Sequence, residues 1–212
     1  MEQNKYNLQI GTQVHCKDGR CGKLRKVVVD PDTQRIIELI VEKGFLLKED
    51  RVVPIKSVEK TTEDNIHISI GSTELDTLRN YDEKEFMLPS DDFQANENNK
   101  IYAPGEMVVL TRERRVTRKP EPTVRLKLHE GISPSHTPIR EDTRVTSLDG
   151  YIGKVSQVFI NKQTQEIEQF VIEDKQLSHP VIVPMSMVDK VSEEEIHLET
   201  TKKVIGQLPR YQ

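Results

Sequence analysis

The sequence predicts a mainly β protein: two small antiparallel β-barrels, each ending in short helical turns. Three observations carry this. A stretch near the N-terminus recurs near the C-terminus without a gap. Glycine and proline fall at turn spacing inside each copy. The apolar positions alternate, or cluster in runs of strand length rather than helix length. The bulk composition agrees with small cores. Only 34% of the 212 residues are hydrophobic and there is no tryptophan, against about 45–50% apolar in ordinary domains.

Val14, Asp18, Gly19, Gly22, Lys23, Val27, Thr33, Gln34 and Ile36 recur as Val145, Asp149, Gly150, Gly153, Lys154, Val158, Thr164, Gln165 and Ile167. The apolar character of Leu24, Val29, Leu39 and Ile40 is kept at Val155, Ile160, Phe170 and Val171. After a one-residue deletion, Val53-Pro54 matches Val183-Pro184, Ile66-His67-Ile68 matches Ile196-His197-Leu198, and Leu78 to Tyr81 matches Leu208 to Tyr211. The reading is two copies of one domain, residues 8–81 and 139–212, joined by a linker over 82–138.

Taken in order, Asp18-Gly19 and Asp149-Gly150 read as tight turns, because glycine reaches positive φ without a Cβ clash. Gly22 and Gly153 suggest a bulge where the following strand bends. Lys23 to Asp30 is β-branched and leads through Pro31-Asp32-Thr33-Gln34 into a second strand, Arg35 to Glu42. Pro54 and Pro184 stop the next strands, since proline brings no N–H to a ladder. Ile66, Ile68 and Ile70 alternate with polar residues, as a half-buried strand does. Ser72 to Leu78 and Thr200 to Ile205 read as one or two helical turns. Short strands about eight to twelve residues apart favour a closed barrel, which leaves no edge exposed.

Asp-Gly-x-x-Gly-Lys, the hairpin with its Asp/Asn-x-x-Thr turn, the Val-Pro step and the terminal Leu-x-x-Tyr, in that order and twice over, resemble the PRC-barrel family. That family is named for the cytoplasmic domain of the photosynthetic reaction-centre H subunit, and it includes the C-terminal domain of the ribosome maturation factor. The resemblance implies a small β-barrel module without catalytic residues, used to bind other proteins. The structural positions it singles out are Gly19, Gly22, Pro54, Gly150, Gly153 and Pro184.

The linker divides in two. Asp82 to Glu97 is acidic and polar and reads as loop. Glu106 to Thr111 and Thr123 to Leu128 read as strands of a hairpin. Its tip carries Arg112, Arg114, Arg115, Arg118 and Lys119. These five are the candidate partner-binding residues, for an acidic protein, a phosphate or RNA. A solvated loop is the plainer reading, and no aromatic side chain interleaves with the arginines to stack bases.

Cys16 and Cys21 flank the first turn. If Asp18-Gly19 is a two-residue turn, they face each other as a non-hydrogen-bonded pair, about 4.5 Å apart at Cα, within reach of a disulfide. The second copy holds Ser147 and Ile152 there, so reduced, structural cysteines are expected. A single Cys pair falls short of a zinc site. Asp30-Pro31-Asp32 lacks the glycine and glutamate of a calcium loop. His67 and His197 should face outward. Glu193, Glu194 and Glu195 read as a charged turn, and no nucleophile elbow, phosphate loop or zinc-protease motif occurs.

The expectation is therefore no enzyme, no cofactor and no metal, but a scaffold or protein-interaction module whose partner is another protein. Self-association, and nucleic acid through the basic linker, are further partner options. The net charge of −4 weighs against non-specific nucleic-acid binding by the whole chain. A ribosome-associated factor and a peripheral component of a membrane electron-transfer complex are the alternatives. No apolar run reaches the roughly 18–20 residues of a membrane span. Met1 to Ile10 does not read as a signal peptide, so the expected location is the cytoplasm.

Overall fold

A computed structural model describes residues 4–44, 48–89, 123–174, 177 and 179–211. The chain divides into two compact units, residues 1–81 with 131–212, and residues 82–130.

In the first unit the N-terminal copy runs β1 (Lys5–Gln9), β2 (Gln13–Cys16), β3 (Gly19–Asp30), β4 (Arg35–Lys43), β5 (Glu49–Pro54), β6 (Val58–Thr61), β7 (Asn65–Ile68) and helix α1 (Ser72–Thr77). The second unit holds β8 (Asp82–Pro89) and β9 (Thr123–Glu130). The C-terminal copy repeats the order as β10 (Thr137–Arg140), β11 (Arg144–Ser147), β12 (Gly150–Asn161), β13 (Ile167–Glu173), β14 (Val181–Pro184), β15 (Val188–Val191), β16 (Glu195–Leu198) and α2 (Lys202–Ile205). A single 3-10 turn follows Pro54 and another follows Pro184.

Two seven-stranded sheets result. One runs β5-β4-β3-β2-β7-β6 with β10 added on β3; the other runs β14-β13-β12-β11-β16-β15 with β1 added on β12. The two copies have therefore exchanged their first strands. Leu8 pairs with Val158 and Ile139 pairs with Val27, the same register in both sheets. Each long central strand meets its own hairpin partner along its first half and the other copy's strand along its second half. The exchange satisfies backbone groups that would otherwise form an exposed edge. It also buries Leu8 and Ile139 in one core with Val27, Ile36, Leu39, Val158, Ile160 and Phe170.

The two copies meet again at related positions. Ile36 donates its N–H to Gln165 O at 3.0 Å and Ile167 donates to Gln34 O at 2.9 Å. Gln34 and Gln165 reach across because both sit at positive φ, 57° and 63°. Asp30 and Asn161 hold these turns. Asp30 accepts Thr33 Oγ1 at 2.8 Å and Asn161 accepts the Gln163 N–H at 2.9 Å. The Asp30 carboxylate, read from the sequence as no calcium ligand, is thus engaged inside its own turn. Arg35 and Glu166, equivalent residues, face each other as an ion pair at 3.0 Å. That pair is half exposed, so it contributes at most about 1 kcal/mol.

Several expectations are corrected. The strands are not all antiparallel, because β2 runs parallel to β7 and β11 parallel to β16. The first turn is Lys17-Asp18, not Asp18-Gly19, since Cys16 pairs with Gly19. Asp82 to Pro89, expected as loop, is strand β8 and pairs antiparallel with β9 along its whole length. Lys84 lies between two facing carboxylates, reaching Glu130 at 2.6 Å and Asp82 at 3.6 Å across and along the hairpin arms, an exposed arrangement that contributes little to stability. The partner of β9 among the described residues is β8; Glu106 to Thr111, expected as its hairpin partner, lies outside the described residues.

Candidate functional site

The turn aspartate of each copy joins its first hairpin to its short helix. Asp18 accepts the Ser72 N–H at 2.9 Å and Ser72 Oγ at 2.5 Å. Asp149 accepts the Lys202 N–H at 2.8 Å and Ser147 Oγ at 2.6 Å. The hydrogen bond from Ser72 holds the Asp18 carboxyl below its ordinary value, and that from Ser147 does the same for Asp149. A depressed folded value means stability that is present above the unfolded pKa of about 3.9 and lost as pH falls through the lower folded value. The double variant Asp18→Asn, Asp149→Asn should accordingly show a shallower loss of urea-midpoint stability in that acid window than the parent. An unchanged acid slope would count against these bonds.

The terminal Leu-x-x-Tyr has an equally local role. Lys26 donates to Tyr81 OH at 3.0 Å, and its equivalent Gln157 donates to Tyr211 OH at 3.0 Å. Both donors are buried, Lys26 at 4% exposure and Gln157 at 2%, so their polar ends need these partners. Leu78 and Leu208 pack against the main core.

The two copies differ at the tips of their first hairpins. In the N-terminal copy Cys16 and Cys21 are joined as a disulfide, with Cα atoms 5.7 Å apart. The expectation of reduced cysteines is corrected, and so is their register. The pairing shifts between Val14 and His15, leaving Cys21 as the extra residue of a bulge between Arg20 and Gly22. The bulge turns Cys21 toward Cys16 although the two are not directly paired. The equivalent shift in the C-terminal copy lies between Val145 and Thr146, and places Ile152 at the bulge.

Beside this disulfide lies a cleft of about 550 Å³ lined by Arg20, Cys21, Gly22, Lys23, Glu42, Gly44 and Lys48. Among the described residues its charged lining is three cations and one carboxylate. Glu42 is engaged, by Arg25 at 2.9 Å and Lys48 at 3.1 Å. Burial works against its charge, but the Lys48 and Arg25 bonds outweigh burial and hold its carboxyl below the ordinary value. Among the described residues no carboxylate pairs with Arg20 or Lys23, and both are exposed. The cleft therefore presents net positive charge. Nearby Asp50 is pushed up by burial, with Arg25 working the other way.

The corresponding tip of the C-terminal copy has another chemistry. Tyr151 stands where Arg20 does and donates to Asp174 at 2.9 Å. Leu148, at the turn, is 63% exposed and Val204 in α2 is 39% exposed. Their N-terminal equivalents are the charged Lys17 and Glu74.

Of the residues singled out from the sequence, Gly19 and Gly150 follow the turns at φ 135° and 108°. Gly22 and Gly153 sit on β3 and β12 beneath β4 and β13. Pro54 and Pro184 end β5 and β14 and open the 3-10 turns. His67 and His197 are half-buried. His67 stacks 5.3 Å from His15, and His197 Nδ1 lies 3.0 Å from Thr146 Oγ1. Arg112, Arg114, Arg115, Arg118 and Lys119 lie outside the described residues. The cationic cleft was not read from the sequence; the Arg-Cys-Gly-Lys run at 20–23 was its only local signal, and Lys48 joins it through the fold.

The sequence model of the PRC-barrel domain matches residues 1–75 and 142–205. No curated protein matches the chain.

Proposed function

The chain belongs to the PRC-barrel family, and from that premise we propose that it is a non-catalytic, protein-binding scaffold of two small barrels acting in the cytoplasm. The observation that carries this reading is the reciprocal exchange of β1 and β10. It joins both copies through one core, so two recognition surfaces are carried on a single body. Those surfaces differ in charge and polarity, while most interior positions stay apolar in both copies. One hairpin tip carries Arg20 and Lys23 beside a cationic cleft; the other exposes Leu148 and Val204. A rigid, preformed surface with an apolar spot and a polar surround suits recognition of another protein. No helix is long and apolar enough to cross a membrane among the described residues.

Affinity capture with the full chain tests the reading. A protein partner should remain bound at about 1 M salt, where charges are screened beyond roughly 3 Å; it should be lost from Leu148→Asp, and the pair Arg20→Glu, Lys23→Glu should weaken its capture at low salt. Recovery of RNA alone, released by salt, would replace this reading with the nucleic-acid one. Capture unaffected by either set of substitutions would remove the hairpin tips from it.

A further inference from the structure

We propose that the cationic cleft of the N-terminal copy is a docking site for an anionic low-molecular-weight thiol, which exchanges with the Cys16–Cys21 disulfide at Cys21. Cys21 lines the cleft, whereas Cys16 does not. The two residues are only 8% and 6% exposed, and Cys21 is the one of the pair that faces this cleft. There an incoming thiol meets Arg20, Lys23 and Lys48, with Glu42 already held by Arg25 and Lys48. Carboxylates on the incoming thiol pair with these cations, and the same positive field favours the attacking thiolate over the thiol.

The exchange balances without any other reagent. The thiolate attacks Cys21 Sγ, the bond between the two protein sulfurs breaks, and its electron pair leaves on Cys16 Sγ, which takes up a proton. A second thiolate attacks the external sulfur of the mixed disulfide and releases Cys21 as thiolate, which is protonated in turn. The net change is one protein disulfide and two thiols giving one protein dithiol and one small-molecule disulfide. The reverse, driven by the small-molecule disulfide, restores the bond.

Both states fit the fold. The Val14 carbonyl oxygen lies 3.5 Å from Cys21 Sγ, an acceptor for the thiol once it forms. The C-terminal copy builds the same hairpin with no covalent link. There Ser147, at the Cys16 position, donates to Asp149 at 2.6 Å and approaches Gly150 O at 3.0 Å, and Ile152 fills the Cys21 position. The disulfide closes a segment of sequence separation 5, a loop near the short limit, for which restricting the unfolded chain adds about 2 kcal/mol and less than a longer loop would. A covalent bond that the hairpin does not need, at the wall of a charged cleft, is placed for exchange. In the cytoplasm, the location proposed above and on which this step rests, disulfides are characteristically of this reversible kind.

The test uses the oxidised full-length protein, folded throughout. Reduced glutathione is compared with uncharged 2-mercaptoethanol at equal thiolate concentration. The mixed disulfide is trapped by acid quench and located by peptide mass. Glutathione should react about tenfold faster or more at low ionic strength, at Cys21, with the advantage collapsing at high salt. Arg20→Gln with Lys23→Gln should remove most of the glutathione advantage and slow 2-mercaptoethanol, whose thiolate carries no carboxylates, by much less. Equal rates for the two thiols, attachment at Cys16, reaction only after denaturant unfolds the chain, or an equal effect of the substitutions on both thiols would each overturn the proposal.

Discussion

The Leu8→Ala protein should lose about 2–5 kcal/mol of unfolding free energy, and the damage should be read out in the other half of the molecule. Leu8 is fully buried, so truncation removes its transfer energy and leaves a cavity that the surrounding core closes only in part. By sequence it belongs to the N-terminal copy. By structure its strand lies on β12, with Leu8 opposite Val158 and Tyr6 opposite Ile160. Loosening β1 uncovers the second half of β12, so amide-exchange protection there should fall before that of β3 does. The equivalent change, Ile139→Ala, should reverse the pattern. Ile139 is 1% exposed and lies opposite Val27, so β3 should lose protection first. Volume-conserving Leu8→Met should cost less than about 1.5 kcal/mol and leave the β12 amides nearly as protected as in the parent. If Leu8→Ala weakened only the strands of its own copy, the strand exchange would be refuted.

The features legible in the sequence were those decided by local chemistry. Asp18 and Asp149, with the glycines after them, mark turns because the Asp accepts local hydrogen bonds and the glycine takes a conformation other residues resist. Pro54 and Pro184 end strands because they cannot donate. The exchange of strands was not legible for a different reason. Tyr6, Leu8 and Ile10 alternate with polar residues, which says that one face is buried but not against which copy. Ile139 stands alone among Thr137, Pro138 and Arg140, too short a pattern to announce a strand.

The cysteine register failed by a single residue. A bulge inserts one position, and every facing relation beyond it then changes; the glycine at 22 hinted at the bulge without fixing where it falls. Strand β8 was hidden by its acidic composition, since what stabilises it includes Lys84 meeting Glu130 across the hairpin, a contact that exists only after pairing. The cationic cleft was beyond reach for a similar reason. Lys48 and Lys23 are far apart in sequence and converge because β5 and β3 flank β4.

Gly153→Ala should lower stability by roughly 1–3 kcal/mol through overpacking, and Gly22→Ala should do the same in the other copy. Neither glycine has a positive φ, so conformational freedom is not the reason for either. Space is the reason. A Cβ on Gly153 would stand 2.6 Å from Ile172 Cγ2 and 2.7 Å from Glu173 O; on Gly22 it would stand 2.5 Å from Glu42 O and 2.7 Å from Val41 Cγ1. The carbonyls in the way belong to β13 and β4, whose pairing with β12 and β3 holds them in place. Gly150 is the control. It sits at φ +108° with only a lysine tip near its Cβ position, so Gly150→Ala is strained in its backbone alone and a neighbouring Ile172→Ala does nothing for it. The same Ile172→Ala should recover part of the Gly153→Ala loss, a coupling measurable in a double-mutant cycle. Because the exchanged strands tie both copies into one core, each substitution should move a single calorimetric transition as a whole. Two separated transitions, with Gly22→Ala shifting one and Gly153→Ala the other, would mean that the copies unfold independently and that β1 and β10 do not hold them together.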